Sequence, residues 1–272
     1  MKSFLKKILP YYLVNSLFYL KNWNHNAYSF FSKINLNTNL SDFFIWSNEC
    51  SQIEFVAENV RALISGKKIE VEHNFRFFDE EGEFITMQKY KSSNFFEKII
   101  LKKPKGKGKY FSFTHFVDSE TSLENIFKFH QINNFKDISE QNKGYTTYFP
   151  TDSKFGGATV HGNFGGLSKN DYKRAKINLK KHIYTPIYRF ESNNKYDLVF
   201  NNPTKDKLKI KIIMNESGIC HHLYVPSLGT RFFNFEEYSG SISFESKLPV
   251  CRALVFKNPA PNSLGNFDVF HS

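Results

Sequence analysis

Residues Ile69 to Ile85, IEVEHNFRFFDEEGEFI, leave the backbone little choice. Ile69, Val71, His73, Phe75 and Phe77 share one parity, and Glu70, Glu72, Asn74 and Arg76 share the other. A period of two sets these groups on opposite faces of a pleated strand. Asp79-Glu80-Glu81-Gly82 supplies turn residues and Phe84-Ile85 resumes the apolar pattern, so the stretch predicts a β-hairpin. A second hairpin of the same kind is predicted at Leu208 to Cys220, LKIKIIMNESGIC, around Asn215-Glu216-Ser217-Gly218.

Short apolar runs recur around both hairpins. Phe43 to Trp46, Ile53 to Ala57, Phe95 to Lys102, Tyr110 to Val117 and Tyr145 to Phe149 read as strands before the midpoint. Tyr196 to Asn202, Phe232 to Phe235, Ile242 to Phe244 and Ala253 to Phe256 read as strands after it. Tyr196 to Asn202 echoes Ile53 to Asn59, and Val269-Phe270-His271-Ser272 can be set beside Thr159-Val160-His161-Gly162. These signals predict an all-β fold of two tandem related antiparallel β-sandwich domains, with a short N-terminal helix and one helical insertion. Residues 1–41 form the basic and aromatic N-terminal helix and a connector. Residues 42–168 form the first sandwich, with the insertion at about 121–143, and residues 169–272 a bridging helix and the second sandwich. One detail resists the repeat. Superposing Gly82 on Gly218 puts the buried parity of the first hairpin onto Lys207, Lys209 and Lys211, so a one-residue slip and a β-bulge in one copy are required.

Aromatic residues make up 17% of the chain, with 31 Phe and 14 Tyr, which argues for a folded protein rich in strands. The formal charge of +11 points to an anionic partner. Six of the 37 basic residues are Arg, and specific recognition of phosphates and bases leans on Arg forks, so nucleic acid is a disfavoured partner. Cys50, Cys220 and Cys251 are odd in number and outside any CxxC pattern, which suits reduced thiols in the cytoplasm rather than a disulfide framework or zinc site.

Residues 1–22, MKSFLKKILPYYLVNSLFYLKN, are interrupted by Pro10, Asn15 and Ser16, too often for a membrane span or a secretory signal. Lys2, Lys6 and Lys7 beside Tyr and Leu suit a helix lying on an anionic membrane surface through residues 1–21, or packed on the protein's own core. This lead-in resembles the openings of bacterial proteins of surface-polysaccharide assembly, glycosyltransferases among them, over these 22 of 272 residues. The resemblance implies a glycan or glycolipid ligand and a cytoplasmic, peripheral place at the inner membrane.

Gly156 to Gly166, GGATVHGNFGG, fits neither GxGxxG nor GxxxxGK[ST]. Glycine at this density lets a backbone approach a ligand or turn tightly. Gly157, His161, Asn163 and Phe164 are therefore binding candidates, and His161 with Asp152 is a weak catalytic pair for a glycan-modifying enzyme. Lys102 to Lys109, KKPKGKGK, reads as a basic hairpin tip where Lys105 and Lys107 could meet phosphate. No HxH, HxxxH or HExxH spacing occurs, and His221 and His222 point to opposite faces of a strand, so no metal and no cofactor are expected. The sequence thus leads to a non-catalytic binding or scaffolding protein. A glycan-modifying enzyme and a single-stranded nucleic-acid binder are the alternatives, and no oligomeric state follows.

Overall fold

The structure is a computed structural model. It describes residues 39–121, 126, 140–142, 144–150, 156–168, 181–204, 206–248, 251–259 and 267–272. The expected N-terminal helix, most of the insertion and the bridging helix lie outside the described residues. The chain is mostly β. In order it runs β1 (Asn39–Ser47), β2 (Gln52–Glu58), α1 (Val60–Ser65), β3 (Val71–Phe78), β4 (Phe84–Ser92), β5 (Phe96–Ile100) and β6 (Tyr110–Asp118). Next come β7 (Glu140–Asn142), β8 (Gly144–Phe149), β9 (Ala158–His161), β10 (Asn163–Ser168), β11 (His182–Tyr184) and β12 (Tyr196–Asn201). The last are β13 (Leu208–Met214), β14 (Ile219–Val225), β15 (Thr230–Phe235), β16 (Ile242–Ser246), β17 (Leu254–Lys257) and β18 (Asp268–His271). Among the described residues no helix is long and apolar enough to cross a membrane.

Four sheets result. Sheet I has the order β10-β1-β6-β3-β4, with β7 added parallel to the start of β1, and sheet II the order β5-β2-β8-β9. Sheet III runs β11-β16-β13-β14 and sheet IV runs β15-β12-β17-β18. The parity read from the sequence places β3 correctly: Val71, His73, Phe75 and Phe77 are buried. Asn59 caps α1 by accepting from the Ala62 N–H, and Gly66, at φ 66°, ends it in the left-handed region. Residues 140–142, expected within the insertion, are strand β7.

The core of sheets I and II is aromatic: Phe44, Phe55, Phe75, Phe77, Phe111 and Phe113 are all buried in one cluster. Sheet IV is covered on both faces, because successive side chains leave a strand on opposite sides. Leu198, Phe200 and Val255 join Ile210, Ile212 and Phe244 of sheet III in a second cluster. Val199, Leu254, Phe256 and Val269 turn the other way and join the first cluster. The Tyr110 ring, on sheet I, lies 5.3 Å from Phe232 and 4.9 Å from Phe256 of sheet IV.

The ladders of the two halves run in step. Sheet II matches sheet IV strand for strand, and the β1-β6-β3-β4 part of sheet I matches sheet III. Setting Glu54 on Asp197 carries their ladder partners Thr147 and Phe256 onto each other, and then Tyr145 onto Leu254. Tyr145 pairs with His161 and Leu254 with His271, so the two histidines coincide as well. Both hairpins open with the first residue of their first strand, Val71 opposite Ser92 and Leu208 opposite Val225. The β3–β4 ladder shifts between Phe77 and Phe78, passing over Ile85 after the turn, whereas the β13–β14 ladder is regular; the one-residue slip expected before Gly82 is not what this shift supplies.

The turn glycines Gly82 and Gly218 have φ of 85° and 70°, but different neighbours. A Cβ on Gly82 would lie 1.9 Å from the Ser227 carbonyl oxygen, and a Cβ on Gly218 would meet nothing within 4 Å. Gly218→Ala should therefore cost only left-handed strain, about 1 kcal/mol. Gly82→Ala forces the β3–β4 turn away from the 226–229 turn and should cost about 3 kcal/mol. Urea unfolding of the two variants checks this, and equal losses would refute the close docking of the turns.

Candidate functional site

The glycine-dense segment forms two short strands rather than a loop. Ala158 to His161 alternates well enough to pair as β9, and Gly162 lets the chain cross from sheet II to sheet I. A Cβ at Gly162 would lie 2.7 Å from the Phe44 ring, so glycine serves close passage here. Gly157 is hemmed in likewise, its Cβ position lying 2.8 Å from the Tyr148 carbonyl. His161 is brought against His271, with ring centroids 4.5 Å apart. His271 Nε2 donates to the His161 carbonyl oxygen at 2.9 Å, and His161 Nδ1 donates to the Gly162 carbonyl at 3.0 Å. Arg252 Nε donates to Asn163 Oδ1 at 3.0 Å. Burial, reinforced by the Arg252 charge, pushes His271 down to about 3. Every one of these bonds ties one half of the chain to the other or fixes the corner. Asp152 and the Phe164 side chain lie outside the described residues. The hydrogen-bond partners seen for the His161 ring do not include a carboxylate.

Lys105 and Lys107 are exposed, but β5 and β6 lie in different sheets, so their segment is a crossing between layers rather than a hairpin tip. Its last lysine turns inward: Lys109 Nζ reaches Asp197 at 2.8 Å. The reason is local, since Asp197 also accepts from the Tyr110 hydroxyl at 2.5 Å and holds that corner in place.

A second histidine pair lies deep in the first core. His73 and His115 are fully buried and stacked, with ring centroids 5.2 Å apart and His73 Nδ1 3.0 Å from His115 Nε2. His73 Nε2 and His115 Nδ1 have no hydrogen-bond partner among the described residues. Burial pushes His73 down to about 4, against a weak opposing pull from Glu97, and His115 well below its ordinary value. Among the described residues no group of three or more His, Cys, Asp or Glu could hold a metal ion.

Among the described residues a charged groove lies on the outside of sheet III. In β13 the alternation buries Leu208, Ile210 and Ile212 and turns Lys209 and Lys211 outward. The ladder sets His222 and Glu245 on either side of Lys211, and Tyr224 beside Lys209. Lys209, Lys211, His222 and Glu245 line, with Lys181, Lys207 and Lys247, a groove of about 420 Å³ that gathers five lysines and the carboxylates of Asp206 and Glu245. Lys181 Nζ bonds Glu245 at 2.7 Å and holds its carboxyl below the usual range. Lys207 and Lys209 stand 5.2 and 5.6 Å from the centre of the Tyr224 ring. The sequence carried one sign of this face, the shared parity of Lys207, Lys209 and Lys211, which reads there as a register conflict. The opposing Lys181 and Lys247 come from segments only the fold brings together. Compared with known proteins, the sequence matches no family model and no curated protein.

Proposed function

We propose that the chain is a non-catalytic binding protein made of two tandem copies of one β-sandwich, 42–168 and 169–272, and that its ligand is an acidic glycan. The observation that carries the ligand is the lysine groove of sheet III. Lysines are mobile point charges suited to a repeating carboxylate or phosphate polymer, whereas base reading calls for planar Arg forks. The exposed Tyr224 ring, beside Lys207 and Lys209 at the groove's edge strand, gives a sugar an apolar face to rest on. A cytoplasmic place at the inner membrane face agrees with the character of residues 1–22. What supports the duplication is the matched order and register of the ladders. An experimental structure in which Glu54 and Asp197 did not superpose would remove it.

Titration with polygalacturonate, neutral dextran and a single-stranded oligothymidine tests the ligand. Polygalacturonate should bind, dextran should not, and Lys209→Glu with Lys211→Glu should weaken the acidic polymer about tenfold or more. Equal binding of dextran, or indifference to charge reversal, would sink the reading. Tighter binding of the oligonucleotide would replace it with the nucleic-acid alternative.

A further inference from the structure

We infer that copies of this chain associate head to tail, the outer face of sheet II in one copy resting on the outer face of sheet III in the next. The inference rests on the duplication proposed above. Within the chain the outer face of sheet IV packs on the outer face of sheet I. Asp197 meets Tyr110 and Lys109, Asn201 Nδ2 donates to the Phe43 carbonyl, and Ser112 Oγ donates to the Leu228 carbonyl. Sheet IV is the counterpart of sheet II, and sheet I of sheet III. The contact therefore joins unlike faces of like units. Such a heterologous contact does not close within a pair, and it leaves one face of each kind free at the two ends.

Among the described residues the faces left uncovered are the outside of sheet II and the outside of sheet III, and large apolar side chains are exposed on both. Phe96, Ile100 and Tyr145 on sheet II are 56%, 57% and 45% exposed. Ile183 and Tyr224 on sheet III are 65% and 47% exposed, and Ile187, just past β11, is fully exposed. Charge selects the pairing. Sheet II offers Glu58 on β2, since Glu54 is buried and already held by Lys98 of the neighbouring β5 at 2.6 Å, and sheet III offers the lysine groove. Glu54 stands where sheet IV carries Asp197, the acid that receives Lys109 across the contact inside the chain. Two sheet III faces would oppose their lysines, so a sheet III face meets a sheet II face rather than its own kind.

Sedimentation velocity of the full chain at low salt, without any polymer that would compete for sheet III, tests this across the micromolar range. The wild type should form species that grow past the dimer with concentration. Phe96→Glu and Lys211→Glu should each stay at monomer mass, because each loses one face. Mixed in equal amounts they should form a dimer and stop, because one intact face of each kind remains. Ile100→Lys serves in place of Phe96→Glu if that variant melts early. A dimer formed by either variant alone would show a two-fold contact and overturn the inference. A wild type that is monomeric throughout would overturn it too, while leaving the duplication and the polymer site standing.

Discussion

Replacing His73 by Ile and His115 by Phe should make the protein markedly more resistant to acid. The choice of residues comes from the molecule itself. With Val71 set on Leu208, His73 falls on Ile210, and His115, the ladder partner of Phe75, falls on Phe244, the partner of Ile212. The second half thus fills with apolar atoms the positions where the first buries two imidazoles. Above pH 6.5 both rings are neutral whether the chain is folded or not, and pH does not act through them. As pH falls below 6.5 the unfolded chain takes up protons that the core refuses, until about 4 for His73, with burial holding His115 well below its ordinary value too. Stability is lost across that window, since the unfolded state binds more protons. For His73 alone the loss approaches about 3 kcal/mol at its acid end. Urea midpoints at neutral pH and at about pH 4.5 measure it, and the double variant should gain most at the acid pH. An equal gain at both would mean that packing, not protonation, governs the pair.

Asp197→Ala should be the most damaging single change where the halves meet. Its side chain is 6% exposed, and it holds both the Tyr110 hydroxyl and the Lys109 ammonium. Truncation strands a buried phenol and a partly buried cation, a loss of about 3–5 kcal/mol. Tyr110→Phe removes one donor and leaves the ion pair, so it should cost about 1 kcal/mol. Denaturant titration of both variants orders them, and a loss for Asp197→Ala below that for Tyr110→Phe would show the ion pair to be a bystander.

The parts of this fold that were legible in the sequence are those that repeat within a strand. The parity of Ile69 to Phe77 gave the first hairpin, and the clash of that parity with Lys207, Lys209 and Lys211 called for a slip before Gly82, whereas the ladder shift at Phe77 passes over Ile85, after it. His161 could be set beside His271 because both close an apolar run. Their contact was illegible, because it depends on where sheet IV lands. His73 stood on the buried parity and His115 lay in FTHF, yet nothing local says that β3 pairs with β6. Gly162 carries in the sequence the signal of a tight turn or a ligand-facing backbone, because glycine commonly marks both. Here it gives way to the Phe44 ring, a neighbour remote in sequence. The groove stayed hidden for the same reason, since its lysines come from β13 and from segments far from it along the chain.

Because both sides of sheet IV are occupied, the order of synthesis matters. Leu228, which packs with Phe43, and Phe232 and Phe256, which pack on Tyr110, are made more than a hundred residues after them, so these contacts form only once the later strands emerge. Until then the nascent chain exposes a sticky surface that a chaperone, or a neighbouring nascent chain, can seize.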